Sequence, residues 1–336
     1  MTFHAGLVND KRAVELYARI PLALHAGTMH PLYVVADAKR DLNLSPRFWV
    51  YESAGEIYMH GFHLAKINGT DLYDLQSPYG YGGPIATTDA SDFLEEADMQ
   101  FRQWAINARV VAEFIRFHPM LENWKYYGGQ SFFDRKVVWV DCNKSDLLMS
   151  YQIRQRTAIR KAVNANVEVK WLSQEDLKQV FPKFYVDAMR NIKADEFYLF
   201  SDDYFLALLS LPFISGVGAL VDNEFIAMSL FLGDGVGEYH LSGKNMKGSK
   251  YAASSLLLHE AAQQMKKDGL KKLYLGGGST SSTEDSLLFF KAGFSSDTAD
   301  FKIGKRVFIP TAYEQLKQDY SAQYMQYPQR ILFYRS

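Results

Sequence analysis

Cysteine is almost missing from this chain: Cys142 is the single one among 336 residues. No intrachain disulfide can form, and no Cys/His cluster has zinc-ligand spacing, so a disulfide framework and a metal site are both excluded as expectations. One cysteine also favours a reducing cytoplasm. Charge of one sign is equally scarce, with 37 Lys and Arg against 38 Asp and Glu and a formal net charge of −1. Without a broad basic field, no DNA partner is expected. The start, Met1 to Arg12, lacks the basic beginning and the apolar stretch of a secretory signal. One long charge-free run exists, Tyr204 to Val221, but Ser210, Pro212, Ser215, Gly216 and Gly218 interrupt it, so it reads as helix, break and strand rather than a membrane span. Walker A, G-x-G-x-x-G and G-x-S-x-G are absent, which removes the usual support for ATP phosphotransfer, nicotinamide chemistry and a hydrolase elbow.

What is present suits an ordinary folded protein: 48% hydrophobic and 22% charged residues, with 23 Phe, 21 Tyr and 5 Trp to fill a core. The length predicts two domains, placed at residues 1–150 and 151–336 by element order, because no Gly/Ser or Pro-rich linker marks the join. In the first, apolar residues near Lys11–Ile20 fall at helical spacing, Leu32–Ala36 and Phe48–Tyr51 read as strands, Ser91 or Asp92 caps a helix to about Arg109, and Val110–Phe117 reads as a strand stopped by Pro119. In the second, Arg154–Val163 is helical, Val167–Trp171 extended, and Ser173 opens a helix to Asn191. Val217–Leu220 and Phe225–Leu232 flank an Asp222-Asn223 turn, and Glu238–Ser242 is a third strand. A helix from Ser254 or Ser255 to Lys267, a strand at Lys272–Leu275 and a short helix at Asp285–Lys291 complete a mixed α/β pattern.

Five segments can carry chemistry. Ser77-Pro-Tyr-Gly-Tyr-Gly-Gly-Pro84 must be a shaped loop, offering Tyr79 and Tyr81 to a ligand or serving only as a packed turn. Arg116-Phe-His118-Pro119 sets a cation and an imidazole at a strand end, where ligand groups collect in α/β proteins; a surface Arg and a satisfied histidine are the plain alternative. Arg190, late in its helix, either holds an anion or answers the helix dipole. Lys244 to Lys250, between a strand and a helix, either turns N–H groups toward phosphate or is a solvated connector. Gly276-Gly277-Gly278, followed by Asp285 and Lys291, allows close approach of a substrate to backbone.

Taken in order, Ser77–Pro84, Arg116–Pro119, Ala188–Asn191, Phe197-Tyr198, Tyr239-His240-Leu-Ser-Gly243, Leu275–Gly278 and Asp285-Ser-Leu with Phe290-Lys291-Ala-Gly-Phe294 resemble the FemAB-like branch of the GNAT acyltransferase superfamily. The resemblance spans about residues 10–310. It implies two tandem GNAT-like domains and transfer of an acyl or aminoacyl group to an amine of a cell-envelope precursor. It further implies that Lys291 holds the donor or its developing oxyanion, that Tyr239 and His240 lie on the strand facing the reacting carbonyl, and that Lys247 to Ser255 occupies the place of the pyrophosphate loop. Lys247, Gly248, Ser249, Lys250, Ser254 and Ser255 are then the candidates for binding acyl-CoA. His240 or Asp285 is the expected proton acceptor; Tyr79, Tyr81, Arg116, His118, Arg190, Tyr239, Gly276 and Gly277 are the expected substrate contacts.

Two donors are expected in turn, acyl-CoA first and aminoacyl-tRNA second. The near-neutral charge favours the former, while Lys266, Lys267, Lys271 and Lys272 keep RNA open. A noncatalytic module that binds a glycan precursor is the competing class. The acceptor is expected to be a small or lipid-linked glycan or peptide, met in the cytoplasm or at the inner face of the membrane. The aromatic tail Tyr313–Tyr334 either docks on its own core or meets a partner or membrane.

Overall fold

The computed structural model describes residues 3–280, 282, 284–324 and 330–335. Thirteen strands are defined among the described residues: β1 (His4–Val8), β2 (Leu44–Ser53), β3 (Glu56–Lys66), β4 (Tyr73–Gln76), β5 (Gly83–Ala86), β6 (Val110–Arg116), β7 (Gln130–Asp141), β8 (Glu168–Leu172), β9 (Ile214–Val221), β10 (Glu224–Asp234), β11 (Val236–Lys244), β12 (Lys272–Gly276) and β13 (Thr298–Val307). The helices are α1 (Asp10–Tyr17), α2 (Pro31–Asp37), α3 (Ser91–Asn107), α4 (Leu147–Ser150), α5 (Ile153–Asn164), α6 (Gln174–Asn191), α7 (Asp202–Leu209), α8 (Met246–Lys250), α9 (Ala253–Lys267), α10 (Ser286–Ala292) and α11 (Pro310–Tyr324). No helix among the described residues is long and apolar enough to cross a membrane.

The chain divides into two compact units, residues 1–134 with 301–336, and residues 135–300. This differs from the expected division near Ser150. The reason is pairing that sequence order conceals: Ile303–Val307 of β13 lies antiparallel to Ala112–Arg116 of β6, and Tyr313, Leu316 and Leu332 pack on Ile67, Val111 and Ala112. The end of the chain therefore belongs to the first unit. Arg335 Nε completes the attachment with a 2.6 Å ion pair to Asp74, which is wholly buried.

Unit 1 orders its strands β1, β2, β3, β4, β6, β13, with β5 paired to β3. All of its pairs are antiparallel except β4 with β6. The crossover between that parallel pair includes α3, whose Phe101 lies edge-on to Trp49 at 5.3 Å within a core that also holds Tyr58 and Phe62. Unit 2 orders its strands β7, β12, β11, β10, β9, β8. Again one pair is parallel, β11 with β12, and here the crossover passes through α9. Leu256, Leu257 and Ala261 of α9 pack with Ile226, Phe231 and Leu273. A parallel pair needs a long crossover connection, so each unit has one strand–helix–strand crossover set in an otherwise antiparallel sheet.

Most expected elements form. Ser173 Oγ accepts the Asp176 amide at 3.1 Å and opens α6; Asp222 and Asn223 both take positive φ in the tight β9–β10 turn. Leu32–Ala36 is the exception: it is helix, not strand. His30 Nδ1 accepts the Leu32 amide at 3.1 Å and Pro31 takes the first helical position, an N-terminus that overrides the strand preference of Val34-Val35. Gly83 and Pro84 likewise leave the expected loop to enter β5, a strand that pairs with β3 alone.

Candidate functional site

In unit 2, β11 and β12 run parallel for only two residue pairs, Gly237 with Leu273 and Glu238 with Tyr274. Beyond them β11 stays with β10 as far as Lys244, while β12 follows β7 to Gly276. Both strands are irregular where they part. Tyr239 and Ser242 face Phe231 and Ser229, so His240 and Leu241 together oppose Leu230 as a bulge. On β12, Leu275 is the extra residue between the Tyr274–Trp139 and Gly276–Val138 pairs. A bulge re-aims side chains and ends pairing. It also brings Tyr239 and Ser242, three residues apart, close enough for the tyrosine hydroxyl to donate to Ser242 Oγ.

The notch between the strands is closed from one side by Lys291. Its Nζ donates to the Gly277 carbonyl at 2.7 Å and lies 5.9 Å from the centre of the Tyr239 ring. Lys291 sits in the last turn of α10, and burial lowers its pKa to about 8, with the nearby Asp285 charge opposing that fall. The amine is thus mostly protonated at neutral pH yet close to its titration point. Gly276 holds φ +85°, a conformation that favours glycine, and a Cβ on Gly278 would come within 2.4 Å of the Asp285 carboxylate. The glycine run is therefore shaped by the acid beneath it.

Asp285 is not the proton acceptor the sequence suggested. It is the N-cap of α10: Oδ1 accepts the amides of Leu287 and Leu288 at 2.9 and 3.0 Å. Oδ2 accepts from Ser279 Oγ at 2.7 Å and from the Thr280 amide and hydroxyl at 2.9 and 3.1 Å. These bonds, led by the Leu288 amide and Ser279, hold its pKa well below the usual carboxylate range. Every bond favours the ion, so the carboxylate is a poor base and a good brace. Ser281 and Thr283 of the same segment lie outside the described residues.

The expected phosphate loop also closes on itself. Asn245 Oδ1 takes the Gly248 amide at 3.0 Å, and the amides of Ser249, Tyr251 and Ala252 go to carbonyls of Asn245, Lys247 and Ser249. Lys247 pairs with Glu224 at 2.8 Å, and Lys250 lies 5.3 Å from the Tyr251 ring. A Cβ on Gly248 would meet the Ile226 carbonyl at 2.2 Å, so this glycine serves strand packing. Ser254 lies in the first turn of α9, whose N-cap is Ala252 rather than a serine, and Ser255 Oγ donates to Gln155 at 2.9 Å. Of the residues expected to cradle a pyrophosphate, Lys247, Gly248 and Ser255 thus spend polar groups within the chain.

Unit 1 gathers a second set. The loop after β4 wraps Arg116, whose amide donates to Ser77 Oγ at 3.1 Å and whose carbonyl accepts the Gly82 amide at 2.8 Å. The Tyr81 ring stands 5.1 Å from that of His118, which is fully buried. The Tyr79 amide donates to Asp37 Oδ2 at 2.8 Å, and Tyr33 Oη donates to the Tyr79 carbonyl at 2.7 Å. Asp37, Arg40 and His63 were missed in the sequence; an Asp37–Arg40 spacing of three at a helix end was the available signal. Arg190 belongs to unit 2 instead, exposed in the last turn of α6, where the dipole suffices to explain a cation.

No family model matches the sequence, and no curated protein matches it. Solved structures do. The chain is similar to FemX, with 11% identity and TM-score 0.71, covering 94% of this chain and 100% of that one. It is similar to the C-terminal domain of a putative lysylphosphatidylglycerol synthetase from Agrobacterium fabrum, with 13% identity and TM-score 0.61 over 93% and 97%. A tandem GNAT protein from the clavulanic acid biosynthesis pathway matches at 10% identity and TM-score 0.50 over 90% and 98%. The fold is the one shared with FemX and the tandem GNAT protein, as the resemblance of the motifs implied.

Proposed function

We propose that this chain is an N-acyltransferase that moves an acyl or aminoacyl group from an activated carbonyl donor to an amine of a cell-envelope or surface-polysaccharide precursor. One observation carries the reading: two parallel strands part at paired bulges, and a buried lysine spans the opening to a backbone carbonyl. A carbonyl carbon set in that notch would place its oxygen near Lys291, which has three donors and gives one to Gly277. As the acceptor nitrogen attacks, the C–N bond forms and charge grows on that oxygen, where a pre-positioned ammonium stabilises it. Collapse breaks the C–S or C–O bond of the donor, and the nitrogen loses its proton to His240 or to water. Tyr239 lines the notch; Tyr79, Tyr81, Arg116 and His118 are assigned to the acceptor. The names of similar proteins, FemX and a lysylphosphatidylglycerol synthetase, are in keeping with envelope chemistry.

The donor is taken as acyl-CoA. A second reading, an aminoacyl-tRNA ester, is favoured by the inward bonds of the Gly248, Ser249, Tyr251 and Ala252 amides, since a tRNA ester brings no pyrophosphate to that loop. Single-turnover transfer with both donors, at rising salt, tests the assignment. A tRNA donor loses affinity steeply with salt, whereas CoA responds mildly. With the active donor, Lys291→Ala is expected to slow transfer by about 10²–10³-fold. Unchanged rates in both Lys291→Ala and His240→Ala remove these roles. Acceptor binding without turnover on either donor replaces the enzyme with a binding module.

A further inference from the structure

Lys291 leaves α10 one residue before the helix ends, so the place of its ammonium depends on the last turn of that helix. Seven residues make a helix too short to hold itself, and Asp285 fixes only its start. The last four carbonyls of a helix find no partner within it. In α10 each has one from outside. Arg154 Nη2 donates to the Phe289 carbonyl at 2.7 Å, Gln155 Nε2 to that of Phe290 at 3.0 Å and Gln152 Nε2 to that of Ala292 at 3.0 Å, while the Phe294 amide donates to that of Lys291 at 3.0 Å. Three of the four donors are thus side chains from the start of α5. The Gln152 amide adds a bond to the Gly293 carbonyl at 2.9 Å.

These donors are not equal. Gln152 and Arg154 make their bonds in the open, where water competes for the same carbonyls. Gln155 is 4% exposed, and its amide is used at both ends: Nε2 on Phe290, and Oε1 on Ser255 Oγ of α9 at 2.9 Å. A carbonyl only accepts, so the amide has one orientation that serves both partners. Room for it comes from Gly293, where a Cβ would meet Gln155 Cγ at 2.4 Å. Ile159 and Ala162 of α5 share one core with Leu257 and Ala261 of α9, which anchors the clamp in the body of unit 2. The Phe290 carbonyl belongs to the same rigid peptide plane as the Lys291 amide. Holding the one sets the other, and with it the direction in which the lysine stem leaves for Gly277. We propose that Gln155 is a positioning residue for Lys291: by tying the last turn of α10 to α9 it keeps Nζ on the Gly277 carbonyl, beside the notch. The inference deepens the proposed transfer and rests on it for its effect on rate, whereas the placement of the lysine is tested apart from activity.

The test is competitive acetylation of the full chain with limiting acetic anhydride across a pH series, with the labelled fraction of each lysine read by peptide mass spectrometry. Around Lys291 stand Asp285 ahead of α10, Tyr239 on β11 and Arg135 on β7, whose Nη1 donates to the Gly278 carbonyl at 3.3 Å. Gln155→Met alters none of these charges. In that variant Lys291 is expected to label faster, with its midpoint moved from about 8 toward the 10.5 of an ordinary lysine. Ser255→Ala, which frees one end of the amide, is expected to move it the same way by less, and serves if the methionine variant does not fold. Gln174→Met, which removes a side-chain bond to the Leu211 carbonyl elsewhere in unit 2, measures a merely structural loss and is expected to leave Lys291 as in the wild type. Single-turnover transfer should slow by about 10–10²-fold in Gln155→Met with the KM for donor and acceptor unchanged. Unchanged Lys291 labelling in Gln155→Met, or in Ser255→Ala where that variant alone folds, overturns the inference, as does an equal shift in Gln174→Met. If Lys291→Ala transfers at the wild-type rate while Gln155→Met still shifts the labelling, the proposed function falls and the placement of Lys291 by Gln155 stands.

Discussion

Lys291 and Asp285 show how a side chain's neighbours decide its chemistry. Both stood in the sequence as candidates for direct action. Only Lys291 keeps a polar group poised beside the notch; Asp285 spends both oxygens on five donors and fixes the turn from which Lys291 returns. Asp285→Ala is therefore expected to slow transfer less than Lys291→Ala, and Asp285→Ser, which restores an N-cap, to recover part of the loss; rates and α10 amide exchange together check it. The lysine makes a separate statement about stability. Its folded pKa, about 8, lies below the 10.5 of an ordinary lysine. Between those values the unfolded chain holds a proton that the folded chain has released, so stability rises with pH across that window, by up to ~3 kcal/mol. Denaturant titrations at pH 7 and pH 10 should show the gain in wild type and its loss in Lys291→Met.

Local signals located most elements, but they did not say what an element's polar groups would be used for. The stretch Lys244–Lys250 has the composition of an anion loop, yet Asn245 caps a short helix there and the Gly248 and Ser249 amides bond within the chain. Composition reports which groups exist, not where they point. Leu32–Ala36 teaches the converse: strand-forming residues became helix because His30-Pro31 supplied a strong start and Tyr33, Val34 and Ala36 could be buried on it. That change has a spatial consequence, since the helix ends at Asp37, which binds Arg40 and the Tyr79 amide of the loop after β4.

For the molecule as a whole, the unread part was long-range pairing. The closing segment returns to unit 1, where burial raises the Asp74 pKa to about 6 and Arg335 opposes the rise. Arg335→Ala leaves that carboxylate buried and alone, a loss of about 3–5 kcal/mol. The loss should be large at pH 8, where the acid is ionised, and smaller at pH 5, where protonation relieves it. Asp74→Asn is expected to recover much of it in the double variant, and unfolding curves at the two pH values check both. By itself the sequence determined the mixed α/β character and most helices, because hydrophobic period, caps and turn residues act over a few neighbours, while the tandem fold was implied by the resemblance of its motifs. The boundary between units, the service of Asp285 as a brace, the inward bonds of the 245–252 loop and the meeting of Asp37 with Tyr79 were decided only in the tertiary structure. Each depends on which residues, distant along the chain, share a patch of space from which water has been removed.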